Sequence, residues 1–411
     1  MRKAHLAVAA LTVLAVLAGC TDPAGSAATT PSPTLVPTPT AVATPTAVPT
    51  AMLPPLPPPV NVTLPAPTHI GHVWIIVLEN EEYNTTFPAN GTPPSPYLAQ
   101  NLTAMGHFLR DYYGTGHASL DNYIAMVSGQ APNALTQADC AFYADFVGTP
   151  TGGSDGQATG QGCVYPKAVL NIGDQLDAKR VPWRMYAEDM ANVAAPKTCR
   201  HQPLNSKDDW QGSTDPKDQY ATRHVPFVYF HSLIDDQERC DDRVVDLSLL
   251  AADLADANRT RAFSFITPDV CSDGHDAKCV NPAQKGGYAG IDGFLRAWIP
   301  RIMDSTAFQQ DGLIVVTFDE ADAGSPEACC GEPTGPNTLR PGISGPGGGR
   351  VGAILIGPCM APGTVDDTPH NHYSFLRTME DLWAVPHLGY AGLQGLKPFD
   401  LGACTPAPAT A

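Results

Sequence analysis

The chain has 411 residues, 43% of them apolar, which is enough for one large core or two average ones and excludes wholesale disorder. A formal net charge of −17 argues against nucleic acid as a partner, because a phosphate backbone selects basic faces. The same acidic balance suits a protein that gathers carboxylates around a cation, and equally one that is merely soluble.

In chain order, Arg2 and Lys3 precede the apolar run LAVAALTVLAVLAG, which leads into LAGC at residues 17–20. Charged, apolar and small residues in that order predict a signal peptide rather than a membrane span. The cysteine at the end resembles a bacterial lipoprotein signal, in which Cys20 becomes the lipidated first residue; an ordinary signal peptide is the plainer alternative. The expectation is residues 1–20 as signal. Residues 21–68 follow as a Pro, Thr and Ala stalk, since that composition cannot bury a core and tends to extended polyproline. Residues 69–404 then form the domain and 405–411 a tail. The chain is therefore expected to be exported, anchored to the outer face of the membrane through Cys20 or released. Of eleven cysteines, ten remain without Cys20, an even number that suits disulfides in an oxidising compartment. Cys140 with Cys163 and Cys271 with Cys279 are close pairs in sequence.

Four runs carry almost continuous apolarity: HVWIIVL from His72, AFSFIT from Ala262, GLIVVTF from Gly312 and VGAILI from Val351. Strands buried on both faces have this pattern, so a parallel or mixed sheet covered by helices is predicted. VPWRMYAED from Val181 and VPFVYF from Val225 are weaker strand candidates. Helices are expected over 168–180, 246–259 and 290–303, and strands alternating with helices give an α/β fold. The Gly- and Pro-rich segments 148–162 and 331–349 are expected to be loops over the sheet.

Polar residues pile up where the strands end. The His72 run stops on Glu79 and Asn80, the Ala262 run is followed by PDVCSDGHD at 268–276, and the Gly312 run stops on Asp319, Glu320 and Asp322. A buried carboxylate is costly unless paired, hydrogen-bonded or bound to metal. Three such strand ends can deliver carboxylates, amide and imidazole to one crevice, because ligands in open α/β sheets bind at the carboxyl ends of strands. GTGHASLDNYIAMVSG at 114–129 places Ser119 where a loop turns into a helix, either as a nucleophile facing an anion at the helix N-terminus or as a plain N-cap. Asn122 lies three residues on, along the same helical face. His370 and His372 precede an amphipathic helix in TPHNHYSFLRTMEDLW.

Taken together, VLEN, GHASLDNY, PDVCSDGHD, VVTFDEAD and HNHYSFLRTMEDLW resemble the motifs of the metal-dependent phosphoesterase family that holds bacterial and fungal acid phosphatases and bacterial phospholipases C. That family belongs to the alkaline-phosphatase-like superfamily, and the version here is closer to the acid phosphatase branch. The resemblance runs from about His72 to Gly389 and implies a three-layer α/β sandwich with a mostly parallel central sheet. It implies Glu79, Asn80, Ser119, Asp319 and Glu320 as the metal shell, with Ser119 also the nucleophile. Asn122, His117 and His370 are implied on the substrate side, and His275 and His372 as acid–base groups. Ala118 and Asp121 depart from the family's usual pattern. The metal is a divalent cation: an oxygen-rich shell favours Mg²⁺, Ca²⁺ or Mn²⁺, and histidine ligands would favour Zn²⁺.

The function so implied is an exported phosphomonoesterase of acid phosphatase type, working through a phosphoserine on a small phosphate ester or a lipid headgroup. A phospholipase C or other phosphodiesterase would use the same nucleophile. A lipoprotein with a stalk and an α/β domain is also the layout of a solute-binding protein, which has no need of a serine beside carboxylates.

Overall fold

In the computed structural model the six residues from Val73 to Leu78 are all buried, as their continuous apolarity requires. They belong to β1 (His72–Leu78), near the middle of an eight-stranded sheet. The structure describes residues 69–406 apart from 152, 193, 194, 213 and 403. Cys20, the signal peptide, the stalk and the end of the tail lie outside the described residues. The other strands are β2 (His107–Leu109), β3 (Trp183–Ala187), β4 (Val244–Asp246), β5 (Phe263–Thr267), β6 (Gly312–Phe318), β7 (Ala353–Ile356) and β8 (Thr364–Asp366). Their order is β4-β3-β5-β1-β6-β7-β2-β8. All pairings are parallel except those of β7, which runs against both β6 and β2. The sheet is thus mostly parallel, as expected for an α/β chain. Each Val, Ile or Leu buried in it stabilises the fold by roughly 1.5–3 kcal/mol.

Helices α1 (Ser119–Ser128), α2 (Ile172–Ala178), α3 (Gly287–Met303) and α4 (His372–Leu382) are all expected from the sequence, α1 from the loop that turns into a helix at Ser119 and α4 from the amphipathic run after His370. The helix expected over 246–259 is shorter: a 3-10 turn Leu247–Leu249 followed by one α-turn, Leu250–Leu254. VPFVYF is not a strand. Pro226 opens a 3-10 helix, Pro226–Tyr229, whose aromatic side chains are buried, and the fixed φ of proline is ready for a helical first turn. His69–Ile70 pairs in parallel with Thr405–Pro406, so ordered pairing continues two residues past the expected boundary at 404.

Disulfides join Cys140 to Cys163 and Cys271 to Cys279, the two pairs suggested by proximity. Three more join Cys199 to Cys240, Cys329 to Cys330 and Cys359 to Cys404. The Cys271–Cys279 link ties down the loop after β5. Segment 331–349 carries no regular element and lies on the loop before α1: His117 N donates to Pro341 O at 3.0 Å, and Gly348 N to Gly114 O at 3.0 Å. Among the described residues no helix is long and apolar enough to cross a membrane.

Candidate active site

Register brings the carboxylates together. Leu78 pairs with Phe318, so Glu79 and Asp319 are the next residues on adjacent parallel strands. Asp319 N donates to Leu78 O at 2.9 Å, and Glu79 N to the Asp273 carbonyl at 3.0 Å, which joins the ends of β1, β5 and β6. Asn80, in the left-handed region with φ 54°, donates its backbone N–H to Asp319 Oδ1 at 3.2 Å. Glu79, Asp273, Asp319 and Glu320 are all buried.

Ser119 is the first helical residue of α1 and not its N-cap, so the plain capping role does not apply. Its hydroxyl donates to Glu79 Oε2 at 2.9 Å. The residue before it, Ala118, has φ 79°, a region that costs a side-chain-bearing residue about 1–3 kcal/mol and that the surroundings must enforce. Two contacts enforce it: Ala118 N donates to Glu320 Oε2 at 3.1 Å, and Asn122 Nδ2 donates to Ala118 O at 3.2 Å. Asn122 also accepts from the N–H groups of Thr115 and Gly116 and donates to Gly116 O. Its amide is consumed by this loop, so it shapes the serine turn; the structure does not direct it toward a phosphate oxygen. Glu320 is held in turn by His117 Nδ1 at 2.5 Å.

Burial pushes the Glu79 carboxyl well up, and repulsion from Asp319 and Asp273 adds to it. Burial raises Asp273 and Glu320 well above the usual carboxylate range and Asp319 to about 6. Burial raises the Asp121 carboxyl well above the usual range, and the charges of Glu320, Asp139 and Asp319 add to this, which weakens the opposition of the extra acidic residue to an anionic substrate.

On the far side of Glu79 lies a residue that sequence reasoning missed. His224 Nε2 is 3.4 Å from Glu79 Oε1, and its Nδ1 is 3.4 Å from Asp273 Oδ2. Glu79, His224 and Asp273 offer ligand atoms within 4.8 Å of one another, a geometry able to hold a metal ion. The Tyr123 hydroxyl donates to Glu79 Oε1 and its ring stacks on His224. Burial lowers the imidazole's pKa well below the ordinary value, and the positive charges of Arg223 and His275 add to this, so His224 is neutral and free to ligate. A cation fits the donor set: Asn80 Oδ1, Asp319 Oδ2, Asp273 Oδ2 and His224 Nε2 are buried polar atoms without a hydrogen-bond partner. The expected shell residues Glu79, Asn80, Ser119 and Asp319 are together, Glu320 faces His117 and Ala118, and His224 and Asp273 extend the set.

The remaining histidines separate. His275, half-buried, sits between Asp276, 2.8 Å from its Nδ1, and Arg223, whose Nη2 is 3.2 Å from its Nε2. His372 is fully buried behind the site, with Nε2 at 2.5 Å from the Asp319 carbonyl and Nδ1 at 2.9 Å from the Tyr112 hydroxyl. Burial lowers it to about 4, so it is a neutral brace for Asp319 and has no access to a leaving group. His370 binds Lys397 O and Asp366 instead, on the strand pair His370–Asn371 with Tyr112–Tyr113. The substrate-side role expected for it is not supported by these contacts.

A buried serine hydroxyl against a carboxylate cluster at the ends of parallel strands defines a hydrolase-type site of the phosphoryl-transfer kind. The model of the phosphoesterase family matches residues 85–386, and the chain belongs to that family. The phosphate-repressible acid phosphatase of Penicillium chrysogenum is 27% identical over 301 residues, covering 71% of this chain and 56% of that protein. The chain thus spans little more than half the length of that relative. A phosphatidylinositol-3-phosphatase of Mycobacterium tuberculosis is 23% identical over 340 residues, covering 81% of this chain and 84% of that protein. A crystal structure of a protein in the alkaline phosphatase superfamily from Vibrio parahaemolyticus aligns with a TM-score of 0.43 and 13% identity, covering 78% of this chain and 67% of that one.

Proposed function

We propose that the protein is a metal-dependent phosphomonoesterase that passes the phosphoryl group through Ser119 to water, and that it is exported and held at the cell envelope by a lipid on Cys20. The observation that carries the reading is the Ser119 hydroxyl, 2.9 Å from Glu79 within a cluster of buried carboxylates that face neutral imidazoles. A divalent cation bound there supplies Lewis-acid chemistry, lowering the pKa of the serine hydroxyl and withdrawing charge from a phosphoryl oxygen. Glu79, Asn80, Asp319, His224 and Asp273 are the residues that would hold it.

The chain's own groups do the rest. Glu79 orients Ser119 Oγ, and the strained turn at Ala118, pinned by Asn122 and Glu320, pre-positions it, which removes orientational entropy from the attack. His275 is the acid–base group, since of the three expected histidines near the site it alone is half-exposed, whereas His117 and His372 are buried. Its Nδ1 faces Asp276 and its Nε2 accepts from Arg223 Nη2, so Nε2 exchanges a proton with the leaving alkoxide and then with water once that contact opens. The Mycobacterium tuberculosis relative, named for a phosphoinositide monoester, supports a lipid headgroup as one substrate class.

The test is hydrolysis by the full chain of an aryl phosphate monoester, the matching diester, and a phosphoinositide monophosphate in vesicles, across pH and with or without chelator. Chelator-sensitive monoesterase activity well above diesterase activity is the expected result. A preference for the diester would move the protein to the phospholipase C side, and inactivity with every added divalent metal would favour a solute-binding lipoprotein.

A further inference from the structure

We propose that Arg223 is the anchor for the substrate's phosphoryl group, a proposal that rests on the phosphoesterase reading of this site. The need for such a group is electrostatic. Glu79, Asp273, Asp319 and Glu320 are buried side chains of one sign, and a phosphate monoester brings up to two more negative charges. Among the described residues, the basic side chains in contact with Glu79, Asp273 and Glu320 are His224 and His117, whose imidazoles burial holds toward the neutral form. Arg223 is the guanidinium that the fold brings to them. Its charge favours the ionised forms of Glu79, Asp273 and Glu320 alike.

Its geometry is that of a pre-formed donor with unused capacity. Arg223 sits in the one-turn 3-10 helix Thr222–His224, beside the candidate ligand His224, and is only 5% exposed. Nη1 is fixed by Gln211, donating to its backbone O at 2.6 Å and to its Oε1 at 3.0 Å. Nη2 reaches His275 Nε2 at 3.2 Å. Nε is 3.9 Å from Asp139 Oδ2, too far for a hydrogen bond. Of five N–H groups, three have partners among the described residues, and one on Nε and one on Nη2 have none there. A guanidinium buried, clamped at one end and open at the other matches the bidentate pattern by which arginine binds phosphate oxygens. The contact with His275 places the anchor next to the half-exposed imidazole, so a phosphoryl group held by Arg223 lies beside the acid–base group. Gln211 is then the residue that positions the anchor.

The test separates anchoring from plain charge balance and from the parent reading. Inorganic phosphate is titrated calorimetrically into metal-loaded Ser119→Ala and into the double variants that add Arg223→Met or Arg223→Lys. This reads binding without turnover. In parallel, KM, kcat and the inhibition constant for inorganic phosphate are measured for the single Arg223 variants on an aryl phosphate. The expected result is at least a tenfold weakening of phosphate binding and a matching rise in KM for Arg223→Met. Arg223→Lys, which keeps the charge but not the fork, should recover part of it, and metal-induced thermal stabilisation should persist in both. Unchanged phosphate affinity in folded variants, with loss confined to stability or metal binding, would overturn the anchor and leave a structural role. If the wild-type chain hydrolyses no phosphate ester yet its phosphate binding falls on removing Arg223, the anchor stands and the esterase reading fails.

Discussion

Two groups of carboxylates in this molecule are treated in opposite ways. On the β3–β4 side, Arg184 donates to Asp253 Oδ2 at 2.8 Å and to Asp242 at 2.6 Å, and Tyr186 donates to Asp253 as well. Asp174 and Asp177 are bound by Arg239, and Asp218 by Arg200. At the ends of β1, β5 and β6 the carboxylates lean on one another, on neutral imidazoles and on a single nearby guanidinium, and burial raises their pKa values. Charges paired within the chain build a scaffold. Charges left without such a partner build a site whose missing counter-charge must arrive from outside.

The largest effect that sharpens this contrast is chemical. Ser119→Ala should cut turnover by at least about 10³-fold, as removal of a nucleophile does, while leaving metal-induced stabilisation intact. Asp319→Ala should lose both, and normal turnover by purified Ser119→Ala would remove the nucleophile assignment. Steady-state kinetics beside thermal melts with and without added divalent metal reads both arms.

Next comes the scaffold. Asp253→Ala removes the buried carboxylate that Arg184 and Tyr186 share, leaving Arg184 with Asp242, and should destabilise the fold by about 1–3 kcal/mol, to the same extent with metal or chelator. Asp319→Ala should behave the other way, leaving the metal-free protein no less stable than wild type, because it removes mutual repulsion. Metal itself should stabilise the wild-type chain by about 2.7 kcal/mol at a hundredfold excess over its dissociation constant. Equal losses of stability for the two variants in chelator would break the distinction between scaffold and site.

Where the architecture was legible in sequence, the cause was simple. A run such as HVWIIVL can be buried on both faces only in a covered sheet, and a carboxylate that ends such a run stands out against it. Glu79, Asp319 and Glu320 stand out that way, helped by their motifs, and Ser119 by its place where a loop turns into a helix. His224 and Arg223 were not, because they arrive on a three-residue 3-10 turn in a segment without apolar periodicity, and nothing local signals that their side chains meet β1 and β5. Asp273 lay inside a motif but gave no sign that its carboxylate, rather than the neighbouring His275, faces Glu79. His372 misled for the converse reason: it serves the site from behind, and only its burial and its bond to the Asp319 carbonyl show this. The strand expected at Val225 failed because an apolar run of that length suits a buried helical turn equally well.

Glu380 supplies the cleanest test, since it is a buried carboxylate with neither an arginine ion pair nor a place in the metal-capable cluster. It lies on α4, its Oε1 accepting from Leu388 N at 2.8 Å and its Oε2 without a partner. Burial pushes it up to about 9, so it stays protonated at neutral pH in the fold. In the unfolded chain it ionises near 4.5. Between those values the unfolded state holds fewer protons than the native state, so this group's contribution to stability is full below about 4.5 and is lost as pH rises toward about 9. The slope is at most about 1.4 kcal/mol per pH unit. Glu380→Gln keeps an acceptor for Leu388 and cannot ionise, so its stability should fall less steeply than wild type over that interval, the gap widening with pH. Thermal or denaturant midpoints at pH 5, 6.5 and 8 measure it, and parallel curves for the two proteins would mean that Glu380 is ionised in the fold and has found a counter-charge after all.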